Sequence, residues 1–348
     1  MKKSVFKILS IVAFSLATLA LTNCGSDEPD IITTLPGSEV IEDLQAGIMN
    51  GNLEENFTLN ASTIYNLNGS FIVESGAILT IPAGTRIQAS NGGTSVYIAI
   101  LKGGKIEVQG TSSNPVVMTS ASGNAGDWGG LTICGDATTT AGADAEAEVG
   151  GFIYGGTNDE DSSGSINYLV IKGTGAQINA DSQYNGVSLY AVGSGTFISN
   201  IAVLNGSDDG VEFFGGTVSA SNLFLENNED DSIDWTEGWS GTIDNAYITH
   251  TISGFSTVFE GDKDNGNPKF VNLTAISSVG GTGLQFKKLS GGTITNIWLE
   301  GYDKNIDMKD GGPLENVIID GVAASTTADY TTGTKVDVSG WSWKSAGL

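Results

Sequence analysis

Beyond residue 52 the apolar positions of the chain come in short alternating runs of Val, Ile, Leu, Phe and Thr, each broken by Gly, Asn, Asp or Ser. Alternation at a period of two is the signature of half-buried strands, and the breaks mark corners. After the apolar leader no 3.6-residue period is sustained, so nothing predicts a helix with a buried face. The pattern predicts an all-β chain. Residues 71–85 read as strand, corner, strand, corner, and 95–101, 104–108 and 115–119 continue the series.

The runs also repeat. Asn200, Asn222, Asn245, Asn272, Asn296 and Asn316 each open an apolar run, at spacings of 22, 23, 27, 24 and 20 residues. A second column, Leu189, Phe213, Trp235, Phe259, Phe286 and Met308, keeps the same beat at 24, 22, 24, 27 and 22. Such self-similarity, with short strands in each repeat, describes the turns of a parallel β-helix, where every turn buries its inward residues on the turns above and below. Asparagine suits the corners because it tolerates the left-handed backbone conformation and its amide can bond to the next rung. Stacked, these residues predict an amide ladder. The 49 glycines agree, since corners of positive φ favour a residue without Cβ.

Four stretches stand outside the repeat. Residues 1–23 carry Lys2, Lys3 and Lys7 before the apolar run Ile8 to Leu21, a length that suits a cleaved secretory leader better than a bilayer span. Residues 24–52 hold little core material and read as a tether, which leaves 53–348 as the β-helix domain. The stretch near 136–165 is an acidic excursion with Asp144, Glu146, Glu148, Asp159, Glu160 and Asp161. Past Gly321 the pattern weakens, and Trp341 and Trp343 are expected to cap the open end of the solenoid.

Composition narrows the partners. Forty acidic against 15 basic residues give a net charge of −25, and losing the three leader lysines makes it −25 − 3 = −28. A nucleic-acid partner is not expected, because neutralising phosphates takes clustered Lys and Arg that this chain lacks. Only two cysteines occur. Leu21-Thr22-Asn23-Cys24 resembles a bacterial lipobox, although Asn23 stands where a small residue is usual, and the resemblance implies that Cys24 becomes the acylated first residue. Residues 24–30, Cys-Gly-Ser-Asp-Glu-Pro-Asp, resemble the acidic export signal of Bacteroidetes surface lipoproteins, which implies a lipid anchor in the outer membrane with the chain facing the exterior. Cys134 is then left without a partner and reads as a small buried hydrophobe.

The repeats, with residues 126–131 (Gly-Asp-Trp-Gly-Gly-Leu) and 208–216 (Asp-Asp-Gly-Val-Glu-Phe-Phe-Gly-Gly), resemble uncharacterised Bacteroidetes lipoproteins of the pectate-lyase-like superfamily. The resemblance implies a right-handed, single-stranded parallel β-helix over about residues 55–320. It implies no particular activity.

Candidate chemistry follows from the strand alternation. With the Phe213 column turned inward, Ser188, Glu212, Asp234, Val258, Gln285 and Asp307 form one outward column, and Tyr190, Phe214, Thr236, Glu260, Lys287 and Lys309 form another. Glu260 and Lys287 are expected as cross-strand neighbours. Asp208-Asp209 falls over Asp230-Asp231 one turn later, and with Glu212 and Asp234 this makes an oxygen-rich corner that reads either as solvated turn aspartates with no cofactor or as a Ca²⁺ site. Asp234, Glu260 and Lys287 are the candidate catalytic residues if the chain is a lyase or hydrolase. Two residues past the ladder asparagines, Phe224, Tyr247 and Trp298 make an aromatic stripe that either stacks on sugar rings or is a patch covered by a loop or a neighbouring chain. The preferred reading is a non-catalytic, surface-anchored β-helix that binds extracellular polysaccharide or a surface protein through its acidic face. The alternatives are a polysaccharide lyase or glycoside hydrolase on that face, and a purely structural envelope protein.

Overall fold

The computed structural model describes residues 38–348 other than 181, 264, 266–267 and 310–313. The leader and Cys24 lie outside the described residues. One sheet of 23 strands, parallel throughout except at its last pair, winds around a single apolar core. The chain is a parallel β-helix, as the repeats predict.

Each later turn contains a short strand and a long one. The short strands are Val187–Tyr190, Val211–Phe214, Asp231–Thr236, Thr257–Gly261, Thr282–Phe286 and Lys304–Met308. The long ones are Phe197–Leu204, Ser219–Glu226, Thr242–His250, Lys269–Ser277 and Gly292–Glu300. Every long strand bends at its asparagine, where φ is 58°, 55°, 63°, 57° and 58° from Asn200 to Asn296. The amides stack as expected: each Nδ2 donates to the Oδ1 of the asparagine one turn earlier, at 3.0, 3.1, 3.0 and 2.8 Å from Asn222 to Asn296. Asn200 starts the ladder by donating to Asn167 Oδ1 at 2.8 Å.

Asn316 is a correction. Gly292 pairs with Val317 and Ile294 with Ile319, so Asn316 ends the short 3-10 turn just before the strand Val317–Ile319 and donates instead to the Leu289 carbonyl. The ladder ends at Asn296, whose amide is closed off by both backbone groups of Thr334.

The aromatic column also departs from the sequence beat. Leu189, Phe213 and Trp235 are in register, but Trp235 then pairs with Gly261, and Phe259 pairs with Ile233. The reason is volume. A Cβ on Gly261 would lie 2.5 Å from Trp235 Cζ2, so the indole occupies the space that the next inward side chain would need. The aromatic ring of that turn is set two residues earlier, with Phe259 tilted against Trp235 at 5.1 Å between centroids. Parity is kept, so Phe259 still faces inward, fully buried.

Both ends differ from expectation. Ser38–Gln45 is a helix, and Ile48–Leu53 pairs with Ile64–Val73. Leu44, Met49 and Leu53 are buried, so the described part of the expected tether packs onto the β-helix domain. Two helical turns are too few to print a period on the sequence. At the other end, Val317–Ile319 turns back on Val322–Ala323 as an antiparallel pair. Trp341 and Trp343 do not cap that end. The last residues run back along the outside of the solenoid as a strap that bonds to Asn296, Thr274 and finally Arg86, with Trp343 2% exposed beneath it.

Candidate functional site

The two-residue slip at Gly261 rearranges the outward face. Ser188, Glu212, Asp234, Glu260, Gln285 and Asp307 now form one column, with Glu260 where the repeat spacing put Val258. Val258 is buried in the core. Three consecutive rungs therefore carry carboxylates, about 4.8 Å apart along the sheet. Glu260 faces Gln285 across the strands, whereas Lys287 lies off that register and reaches Glu260 Oε1 as an ion pair.

Beside this column the paired aspartates stack as predicted, with the Asp231 N–H donating to Asp209 Oδ1 at 2.9 Å. The carboxylates fall into three overlapping groups: Asp208, Asp209 and Asp230; Asp209, Glu212 and Asp234; and Asp231, Asp234 and Glu260. Within each group one oxygen per residue lies within 4.8 Å of the others. Oxygens that share one Ca²⁺ at about 2.4 Å can be no farther apart than that. These clusters can hold a metal ion, and Asp234 belongs to two of them.

The cleft containing them has a volume of about 490 Å³ and is walled by eight carboxylates against Lys287 and Lys309. Six of the eight are those expected from sequence. Glu260 joins through the register slip, and Glu148 comes from the acidic excursion. The excursion folds back as a two-stranded flap, Ala145–Glu146 with Ile153–Tyr154, anchored by Tyr154 O–H on Glu237 and by Lys102 on Asp136 and Asp144. Its acidity was visible in the sequence; its landing place was not.

Desolvation governs the electrostatics. Asp209, Glu212, Asp231 and Glu260 are 5, 9, 3 and 4% exposed. Burial, and after it the charge of Asp230, pushes Asp208 up to about 7. Burial followed by Glu260 and Asp230 pushes Asp231 up to about 8. Asp209, Glu212 and Asp234 are raised well above the usual carboxylate range, by burial first and by neighbouring carboxylates second. Compensation is thin: Asn185 Nδ2 donates to Glu212 at 2.6 Å, Gln285 Nε2 donates to Glu260, and Asp234 Oδ1 is buried without a hydrogen-bond partner. Burial lowers Lys287, but its bond to Glu260 and the charges of Glu260, Asp234 and Asp231 outweigh that and hold the ammonium above its ordinary range.

A model of the pectate-lyase like beta helix domain family matches residues 51–340. The chain belongs to the pectate-lyase-like β-helix family. No curated protein matches it, and no solved structure does.

In this family member the three candidate catalytic residues are brought together, but Lys287 is committed to Glu260 as a cation and holds no free lone pair for proton abstraction. The aromatic stripe is aligned, with Phe224 stacked on Tyr247 at 5.9 Å and Trp298 two rungs further on. It is not an open platform. The strap covers it, placing Lys344 Nζ 4.5 Å from the Phe224 ring and Lys335 Nζ 4.6 Å from Trp298, and Phe224 is 5% exposed. The chain's own cations and tryptophans sit where sugar rings would stack. Cys134 is buried on its strand, with the thiol pushed up to about 12 by desolvation. His250 lies outside the cleft, stacked on Phe255 at 3.7 Å and held between Ser232 and Tyr302.

Proposed function

We propose that this β-helix is a lipid-anchored protein of the outer cell surface, held through Cys24, that binds extracellular glycan by means of Ca²⁺ in its acidic cleft. One observation carries the reading: the carboxylates of the cleft fall into three groups linked through Asp209 and Asp234, while Lys287 is the one cation seen to touch them among the described residues. Burying so much like charge is costly unless it is protonated or neutralised by a cation. Ca²⁺ accepts six to eight oxygens, so three or four carboxylate oxygens leave positions for the hydroxyl or carboxylate oxygens of a sugar. The anchor rests on the leader and the lipobox-like residues, and the acidic export-like segment favours outward display.

Titration calorimetry of the full chain in detergent with CaCl₂, followed by a glycan array run with Ca²⁺ and with chelator, tests this. Ca²⁺ binding that Asp234→Asn weakens at least tenfold, with glycan capture only in Ca²⁺, is the expected result. Absence of Ca²⁺ binding, or capture indifferent to chelator, would overturn it. A glycoside hydrolase is the second reading, favoured by Asp231 and Asp208, whose carboxyls are pushed up to about 8 and about 7 by burial first, so that near neutral pH they hold a proton for part of the time and can serve as general acids. Release of reducing ends from a captured glycan, abolished in Asp231→Asn, would replace binding with turnover.

A further inference from the structure

The amide ladder has a second face. Between Asn222, Asn245, Asn272 and Asn296 on one side and the strap, from Thr334 to Asp337 with Trp341, on the other lies a cavity of about 290 Å³. We infer that this cavity is a second, metal-independent binding site that takes one residue of a neutral saccharide.

The hydrogen-bond inventory of the ladder points there. A primary amide offers two N–H donors and an oxygen with two lone pairs. Asn272 spends both donors, on Asn245 and Asp244, and Asn296 spends both, on Asn272 and Thr334 O. Asn222 and Asn245 each spend one, on the previous rung, and among the described residues have no second acceptor. The oxygens of Asn222, Asn245 and Asn272 each receive one bond along the stack and keep a second lone pair, while Asn296 Oδ1 accepts from the Thr334 N–H. The Asn222 end of the cavity is therefore walled by two adjacent amides, about 4.8 Å apart, each with a donor and an acceptor to spare. Vicinal hydroxyls of a sugar ring are donors and acceptors at once, and they match that pairing. Trp341 supplies the facing ring; its own other neighbour is Trp343, at 5.6 Å between centroids.

The cavity is near neutral in a chain of net charge −25. Its Lys335 is already paired with Glu300 at 2.6 Å, leaving Asp337 as the one other charged side chain that lines it. Uncharged amides and an indole suit a neutral sugar, and the volume sits at the small end of ligand pockets, enough for a single ring. This site shares with the reading above only the class of ligand. It is on the opposite strand set and needs no cation.

Titration of the full chain in detergent and excess EDTA with glucose, galactose, mannose and xylose, read by tryptophan fluorescence and by saturation-transfer NMR, tests the inference. At least one sugar is expected to bind, with saturation transfer from an indole. Trp341→Ala and Asn245→Gly, the latter keeping the positive φ of the corner, are each expected to weaken it at least tenfold. Trp341→Phe should retain most of the affinity, and Asp234→Asn all of it. Melting curves identify a variant that has lost its fold, and Trp341→Phe with Asn245→Gly then decide. No binding by any of the four sugars, binding unchanged in Asn245→Gly, or binding that requires Ca²⁺ and Asp234 would overturn the inference; the last of these would assign the sugar to the acidic cleft.

Discussion

Removing Ca²⁺ and raising the pH should destabilise this protein together, and Asp231 sets the scale. It is 3% exposed, and its carboxyl is pushed up to about 8 in the fold, whereas an unfolded aspartate titrates near 3.9. Between those values the folded chain holds a proton that the unfolded chain has released. Stability without cation therefore falls as pH rises from about 4 to about 8 and levels off above. Four pKa units correspond to on the order of 5 kcal/mol, an upper bound because water entry relaxes part of it. At about 2–4 °C per kcal/mol for a domain of this size class, the chelated protein should lose roughly 10–20 °C of Tm across that window. Ca²⁺ at about 100 times its Kd restores about 2.7 kcal/mol, and its binding releases protons below about pH 8. Differential scanning fluorimetry at a series of pH values, in EDTA and in CaCl₂, reads both effects. A chelated Tm that stays flat or rises between about pH 5 and 8, or a Tm that Ca²⁺ leaves unmoved, would refute the electrostatic account of the cleft. Asp231→Asn should flatten the pH slope and raise the chelated Tm near pH 8, at the expense of Ca²⁺ affinity.

Three further outcomes follow from packing and protonation. Gly261→Ala places a Cβ 2.5 Å from Trp235 Cζ2 and should cost about 1–3 kcal/mol by urea unfolding, whereas the register slip would be left unexplained by a neutral result. Asn222→Ala, at φ 55° in the ladder, should cost about 2–4 kcal/mol, with Asn222→Gly recovering the backbone share, about 1–2 kcal/mol, in the same assay. His250 is lowered by burial to about 4 from 6.5, so its contribution is lost as pH falls from 6.5 through 4, opposite in sign to the carboxylates. His250→Gln should remove the histidine's acid limb from the stability profile, checked by the acid midpoint of tryptophan fluorescence.

The correction at Gly261 is also what makes the cleft. Read from spacing alone, Glu260 belongs beside Lys287 in a surface ion pair, a contact of about 0–1 kcal/mol. In the fold, the bulk of Trp235 leaves room only for glycine on the next rung, the strand slides by two residues, and Glu260 lands under Asp234. A side-chain volume in the core thus decides which charges meet on the surface. The strap shows the same limit in another form. Phe224, Tyr247 and Trp298 align as their spacing predicts, but nothing local in the sequence says that Lys335, Trp343 and Lys344 return to cover them.

The strand alternation, the beat of twenty-odd residues, the asparagine corners and the stacking of Asp208-Asp209 on Asp230-Asp231 were all legible in the chain, because a solenoid turns spatial neighbours into a fixed sequence offset. Wherever the offset is regular, contact can be read by counting. Tertiary structure alone decided the phase at Gly261, the end of the ladder at Asn296 and not Asn316, the docking of Glu148 over the cleft and the path of the strap. Each of these depends on packing volume or on a long excursion between turns, and neither leaves a periodic mark on the residues that it brings together.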